Sequence, residues 1–215
     1  MILLLFGPPG CGKGTQARLL SQWFSVPAVS TGDLLRAEAE SGSEFGNQLA
    51  ATLAAGKYVS DETVNQLIVN RLDRLDGGGI ILDGYPRTVE QARFLDEALR
   101  ARAIGPAVAV YLRVPTDVIV RRLSSRSQCS NCRRVYSQGQ ETAPYCVECG
   151  APLFRRSDDE PEVVLKRMET YRDKTSPVLA HYGQQCYHEV DGDRNPDTVF
   201  DEIVQRLNSV NGGPH

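Results

Sequence analysis

The sequence predicts an α/β fold, with a central five-stranded parallel sheet flanked by helices and two smaller inserted lobes. Three observations lead there. Five short apolar runs alternate with stretches of helical spacing, the pattern of a parallel sheet covered on both faces. The first run meets a glycine-rich turn that opens directly into a helix. Two segments, 30–59 and 122–159, interrupt the alternation.

Along the chain, Ile2 to Phe6 is apolar without a break, as a strand buried on both faces must be. Helical spacing follows over Lys13 to Phe24, then a short strand signal at Ala28-Val29. Ser30 to Val59 is helical and poor in strand signal, which marks a small helical insertion. The alternation resumes with a helix over Asp61 to Leu75, a strand over Ile80 to Leu82 and a helix over Thr88 to Arg102. A strand over Ala107 to Leu112 and a helix over Thr116 to Leu123 come next. Arg122 to Asp159 is rich in Cys, Arg, Gly and Pro, lacks helical periodicity through its middle, and reads as a separate lobe. A helix over Glu162 to Tyr182, a strand over Cys186 to Val190 and a helix over Pro196 to Leu207 complete the chain. Pro161 and Pro196 stand at first-turn positions, where a missing N–H costs nothing. The tail, Asn211 to His215, reads as disordered. The expected division is a core of residues 1–29, 60–121 and 160–215, a helical lobe at 30–59 and a second lobe at 122–159.

A chain that is 41% hydrophobic and 24% charged folds rather than remaining disordered. Its formal charge of −3 exerts no global pull on nucleic acid or anionic lipid. No run is long enough to cross a bilayer, and no basic residues precede the apolar start as they would in a secretion signal. The expectation is a cytoplasmic protein with no nucleic-acid or membrane partner. No exposed apolar stripe stands out, which favours a monomer. The charge is nevertheless uneven. Between Ile119 and Ser157 seven arginines (Arg121, Arg122, Arg126, Arg133, Arg134, Arg155 and Arg156) stand against only Glu141 and Glu148. Such a cluster is either a solvated basic face or a site for a small polyanion.

Gly7-Pro-Pro-Gly-Cys-Gly-Lys-Gly-Thr15 lies between the first strand and the first helix. A loop in that setting turns backbone N–H groups inward around phosphate oxygens, with the helix dipole behind them and Lys13 within reach of the outer phosphates. In this chain Gly14 follows the lysine, and the hydroxyl comes one position later, at Thr15. A plain glycine turn linking strand to helix is the alternative.

Cys129-Ser-Asn-Cys132 and Cys146-Val-Glu-Cys149 form two Cys-x-x-Cys knuckles at a spacing that suits a tetrahedral zinc site. Four thiolates close the coordination sphere, so that metal is structural rather than catalytic. Two disulfides, a redox pair, or a zinc-ribbon nucleic-acid-binding module with a regulatory nucleotide site are the other readings of the same residues.

Taken together, these motifs resemble the adenylate kinases, in the long form whose lid domain carries zinc. The resemblance rests on Gly7 to Gln16, on Ser30-Thr-Gly-Asp-Leu-Leu-Arg36, on Gly56-Lys-Tyr-Val-Ser-Asp-Glu62, on Asp83-Gly-Tyr-Pro-Arg-Thr88 and on the four cysteines, in that order over nearly the whole chain. It implies a P-loop kinase core with an AMP-binding lobe and a zinc-bearing lid, catalysing reversible transfer of a phosphoryl group from Mg·ATP to AMP to give two ADP. It also implies roles for individual residues. Gly10, Cys11, Gly12, Lys13, Gly14 and Thr15 would hold the ATP phosphates. Arg122 would lie against adenine, and Val135, Tyr136 and Arg194 would also touch ATP, partly through backbone. Thr31, Arg36, Lys57, Tyr58, Val59, Gly84, Tyr85, Pro86, Arg87 and Gln91 would line the AMP site. Lys13, Arg87, Arg126, Arg156 and Arg167 would surround the transferring phosphoryl, the last two also touching AMP. Asp83, with Thr15, would hold Mg²⁺ through its water shell.

The residue types agree with that chemistry. The acceptor is a phosphate oxygen already anionic at neutral pH, so no general base is needed, and all three histidines lie in the last thirty-five residues, outside every motif. Twenty arginines against four lysines supply planar forks that grip phosphate in a bidentate way. Within the same fold, UMP/CMP kinases and GTP:AMP phosphotransferases are the alternatives. Thr31 stands where the UMP/CMP group resembles Ser-Ala-Gly-Asp, and that group lacks the cysteine-bearing lid. Departures from the adenylate kinase pattern are Tyr85 for the commoner Phe, Ser125 and Arg133 for Gly, and Ser127 for a second Arg after Arg126.

Overall fold

A computed structural model describes residues 1–55, 57–75, 77–136, 144–183 and 187–210. Gly56 of the expected acceptor motif, Glu141, Cys186 and the tail Asn211 to His215 lie outside the described residues.

The first apolar run is β1 (Ile2–Phe6), followed by α1 (Lys13–Phe24) and β2 (Ala28–Ser30). The helical insertion consists of α2 (Thr31–Ala39) and α3 (Glu44–Ala54). Then come α4 (Asp61–Leu72), β3 (Ile80–Asp83), α5 (Val89–Ala101), β4 (Val108–Arg113) and α6 (Thr116–Ser124). The cysteine-bearing segment contributes β5 (Ser127–Cys129), β6 (Val135–Tyr136) and β7 (Leu153–Phe154), a separate antiparallel sheet in the order β6-β5-β7. The chain finishes with α7 (Pro161–Thr170), α8 (Leu179–Tyr182), β8 (Tyr187–Asp191) and α9 (Pro196–Val210).

The main sheet has five parallel strands in the order β2-β3-β1-β4-β8, the P-loop kinase arrangement. β1 is buried on both faces because successive side chains point to opposite sides. Ile2, Leu4 and Phe6 pack with Ile68 and Leu72 of α4 and Leu95 and Leu99 of α5. Leu3 and Leu5 pack the other way, with Leu20 of α1, Ile119 and Leu123 of α6, and Ile203 of α9. Each fully buried aliphatic side chain contributes about 1.5–3 kcal/mol, so β1 anchors both layers.

The strand order also positions the site. The chain leaves β1 on one side toward β2 and β3, and later returns on its other side with β4 and β8. Such a reversal opens a crevice at the carboxyl ends of the strands. The register pairs Leu5 of β1 and Ser30 of β2 with Asp83 of β3, so these three strands end level beneath the crevice. Ser30, Ser60 and Thr88 then cap α2, α4 and α5 by accepting from the backbone N–H three residues on.

One expected element is divided. The helix anticipated over Glu162 to Tyr182 runs as α7, a π-helical turn over Tyr171–Thr175, a 3-10 turn over Ser176–Val178 and then α8. Pro177 removes a backbone donor there, and an α-helix does not pass through such a position intact.

Candidate active site

Gly12 closes the phosphate loop at φ 104, a left-handed conformation that glycine adopts without steric cost, and no side chain caps α1 behind it. The dipole and N–H groups of the α1 first turn therefore remain free of side-chain acceptors. Lys13 folds over the loop, its Nζ donating to the carbonyls of Gly7 (2.7 Å) and Pro8 (3.0 Å). Asp83, at the carboxyl end of β3, brings its Oδ2 within 3.5 Å of the Cβ position of Gly14. Burial pushes the Asp83 carboxyl up, while the positive charges of Lys13 and Arg87 oppose the shift. Carboxylate and hydroxyl oxygens beside a phosphate loop are the hard donors Mg²⁺ prefers, so Asp83 and Thr15 fit that ion.

The loop after β3 forms the opposite rim. Gly84 has φ +79, and a Cβ there would stand 2.9 Å from Arg87 Nη2, so only glycine lets the arginine fold back. Arg87 Nε donates to the Gly84 carbonyl at 2.7 Å, and its guanidinium lies 4.9 Å from the centre of the Tyr58 ring. The Arg87 N–H donates to Gln91 Oε1 (2.7 Å), while Gln91 Nε2 donates to Asp61 (2.8 Å). Thr31, 1% exposed, donates its hydroxyl to the Gly84 carbonyl at 2.8 Å. Tyr85 supports the loop from behind through Asn65 (2.6 Å), next to a cis peptide bond to Pro86. Burial pushes its phenol up, and the negative charge of Asp61 adds to the shift.

Between the two rims, arginines from three segments meet two aspartates. Arg156 grips Asp158 with two bonds of 2.8 and 2.5 Å. Arg167 reaches Asp158 at 3.2 Å and Asp159 at 3.3 Å, and Arg36 reaches Asp158 at 3.9 Å while pairing with Asp33 at 2.5 Å. Arg126 forms a bidentate pair with the wholly buried Asp159. Burial works against an ionised Asp158, yet Arg167, Arg156 and Arg36 together hold its carboxyl well below the usual range. Burial, reinforced by repulsion from Arg156 and Arg126, brings Arg167 down to about 10, still fully charged at neutral pH.

The four cysteine Sγ atoms lie within 4.8 Å of one another, with Cys129 and Cys149 3.4 Å apart and Cys132 and Cys146 3.5 Å apart. All four are free thiols. A tetrahedral zinc with bonds of about 2.3 Å needs sulfurs about 3.8 Å apart, so this set fits zinc. The Val147 N–H donates to the Tyr136 hydroxyl at 3.2 Å, which leaves that hydroxyl proton for Cys146 Sγ at 3.1 Å.

A family model described as adenylate kinase matches residues 5–187. The chain is 42% identical over 216 residues to an adenylate kinase of Petrotoga mobilis, covering 98% of this chain and 99% of that one. It is 38% identical to an adenylate kinase of Syntrophomonas wolfei, at 98% and 100% coverage. It is 41% identical to that of Gloeobacter violaceus, at 95% and 97%. The chain belongs to the adenylate kinase family.

Most residues that the adenylate kinase resemblance singled out line one cavity of about 940 Å³: Gly10 to Thr15, Arg36, Lys57, Tyr58, Asp83, Gly84, Pro86, Arg87, Arg122, Arg126, Val135, Arg156, Arg167 and Arg194. Arg122 is tied to the turn after β8 through Gly192 (3.1 Å) and Asp193 (3.2 Å), and Arg194 pairs with Glu202 of α9. Thr31, Val59, Tyr85, Gln91 and Tyr136 are outside the cavity wall. Of these, Thr31, Tyr85 and Gln91 support the loop after β3 from within. Tyr136 turns its side chain into the cysteine cluster and away from the cavity. Asp158 and Asp159 were not singled out in the adenylate kinase reading, though the run Arg155-Arg-Ser-Asp-Asp159 held the signal of opposite charges one turn apart.

Proposed function

We propose that the protein catalyses reversible transfer of the terminal phosphoryl of Mg·ATP to AMP, giving two ADP. The observation that carries this reading is the convergence of Lys13, Arg36, Arg87, Arg126, Arg156 and Arg167 on one cavity, between the phosphate loop and the Lys57–Arg87 rim. Phosphoryl transfer asks the protein mainly for positioning and charge stabilisation. Gly10 to Thr15 hold the donor phosphates, with Arg122, the Val135–Tyr136 backbone and Arg194 toward the nucleoside. Arg36, the 57–59 segment, Gly84 to Arg87 and the arginines of the 156–167 region hold AMP. Thr31 and Gln91 act by fixing the loop.

An AMP phosphate oxygen attacks the terminal phosphorus as the bond to the bridging oxygen breaks, and that oxygen remains on the departing ADP. No proton has to be removed, which agrees with the absence of histidine among the described lining residues. Lys13 and the arginine forks neutralise charge as it spreads over the transferring group. Asp83 and Thr15 would hold Mg²⁺, which would supply further neutralisation of the phosphate oxygens.

In this reading residues 30–59 form the AMP-binding lobe, 122–159 the lid, and the remainder the core. Among the described residues the buried apolar cluster of the lid is Cys129, Tyr136 and Cys146, and a structural zinc would supply about 10–16 kcal/mol toward folding so small a core. The role is adenine nucleotide homeostasis and salvage, by a monomer in the cytoplasm. Among the described residues no helix is long and apolar enough to cross a membrane.

The test is turnover with Mg·ATP against AMP, UMP, CMP, GMP and dAMP, and with GTP as donor to AMP. Two ADP formed per AMP consumed, with AMP strongly preferred, is the expected result. Preference for a pyrimidine acceptor overturns the acceptor site, and no turnover by folded, zinc-loaded protein overturns the kinase reading.

A further inference from the structure

Thr175 ends the π-helical turn after α7, is 4% exposed, and nothing in its surroundings by sequence marks it. A helical threonine ordinarily returns its hydroxyl to the carbonyl four residues back. Thr170, one turn earlier, does so, donating to Lys166 at 2.8 Å, and Thr52 of α3 does the same to Gln48 at 3.1 Å. Thr175 does not. The Tyr171 carbonyl is instead taken by the Ser176 N–H, the five-residue bond of a π turn. The Thr175 hydroxyl is released to donate across the cleft to the Arg87 carbonyl at 3.0 Å.

That donation fixes the rest of the chain of bonds. With its own proton committed, Thr175 Oγ1 accepts from the Tyr58 hydroxyl at 2.8 Å. Tyr58 in turn carries its ring under the Arg87 guanidinium, 4.9 Å away. Arg87 is thus held by Gln91 at its N–H, by Thr175 at its carbonyl, by Gly84 at Nε and by Tyr58 at its face. Three of these supports come from the acceptor rim itself. Only Thr175 comes from the helical segment that carries Arg167, so it joins the two halves of the arginine ring.

We infer that Thr175 is a positioning residue for Arg87: through the relay Tyr58 O–H to Thr175 O–H to Arg87 carbonyl it sets the height of the guanidinium over the acceptor phosphate. This rests on the AMP phosphorylation proposed above, and the comparison separates the two. A wild type that does not phosphorylate AMP defeats that reading, whereas an active wild type with an unaltered variant defeats only this one.

The experiment is steady-state kinetics, with ATP and AMP varied separately, on Thr175→Val, Thr175→Ser, Tyr58→Phe and the double variant Thr175→Val/Tyr58→Phe. Valine keeps the shape and removes the hydroxyl. It is expected to lower kcat and kcat/KM for AMP about tenfold, the cost of a lost buried hydrogen bond expressed in the transition state, with KM for ATP within about twofold of wild type. Serine should restore most of the loss. Tyr58→Phe keeps the ring under Arg87 and should lose less, in the same direction, and the double variant should be no worse than Thr175→Val alone. A folded Thr175→Val enzyme with wild-type AMP kinetics overturns the inference, as does a Ser variant as impaired as Val, an equal rise in KM for ATP, or additive losses in the double variant. Should Thr175→Val fail to fold, Tyr58→Phe and Thr175→Ser decide alone: unchanged AMP kinetics in Tyr58→Phe, or a serine variant that loses activity despite keeping the hydroxyl, overturns it.

Discussion

Arg133 and Glu40 stand 3.6 Å apart, joining the turn after the first cysteine knuckle to the C-cap of α2. Arg133 holds this position at φ +60, where a Cβ crowds the following carbonyl at a cost of about 1–2 kcal/mol. The ion pair is partly exposed and returns no more than about 1 kcal/mol. Two substitutions separate these effects. Arg133→Ala loses the pair and keeps the strained backbone, whereas Arg133→Gly loses the pair and relieves the strain. Thermal unfolding should find the glycine variant more stable than the alanine variant by about 1 kcal/mol. Equal melting temperatures would mean that the left-handed turn stores no strain.

The Tyr136 side chain turns to the cysteine cluster rather than to the cavity. Its hydroxyl receives the Val147 N–H and points its proton at Cys146 Sγ, so it orients one of the four thiols proposed to hold zinc. Loss of such a supporting bond costs about 10–100-fold in metal affinity. Tyr136→Phe should therefore release zinc to a chromogenic chelator at correspondingly lower chelator concentration, while the Mg²⁺ dependence of turnover stays as in wild type. Zinc affinity equal to wild type would reduce Tyr136 to a packing residue.

Local features were legible in the sequence and long-range ones were not. β1 could be read because a fully apolar run meeting glycines allows little else, and the clustering of the four cysteines because two Cys-x-x-Cys pairs place four sulfurs on two turns. The role of Asp158 could not be read, since its meaning comes from Arg36 and Arg167, which the fold brings to it from different segments. The break at Tyr171–Thr175 was hidden because one π turn preserves the apolar spacing on either side, with Pro177 as its only local mark. Val135 and Tyr136 are adjacent and were assigned alike, but successive strand residues face opposite ways, one to the cavity and one to the cysteines.

Asp158 makes stability depend on acid in a predictable sense. Its carboxyl is held below the ordinary value of about 3.9, so its contribution is complete above that pH and is lost as pH falls through the lowered folded value. The arginines around it remain charged throughout. Asp158→Asn should cost about 1–3 kcal/mol near neutrality, because Arg36, Arg156 and Arg167 lose their shared anion. The gap between wild type and variant should narrow as pH drops below about 4. Denaturant titrations at neutral pH and in acid check this, and a gap constant with pH would show that the carboxylate contributes shape rather than charge.

Lys13 is held by the Gly7 and Pro8 carbonyls at 2.7 and 3.0 Å, so its ammonium is already placed over the glycine-rich loop before α1. Methionine keeps the length of the stem and removes the charge, and Lys13→Met should leave the fold intact. In the proposed mechanism the charge acts on the phosphoryl group in transit, so the loss should fall on kcat, by about 10²–10⁴-fold, with a smaller change in ATP affinity. Arg87→Ala should behave alike, with the loss mainly on kcat and any rise in KM confined to AMP. Single-turnover measurement of ADP formation distinguishes a slowed chemical step from weakened binding. A Lys13→Met enzyme whose single-turnover rate matches wild type would place the developing charge under the arginines alone.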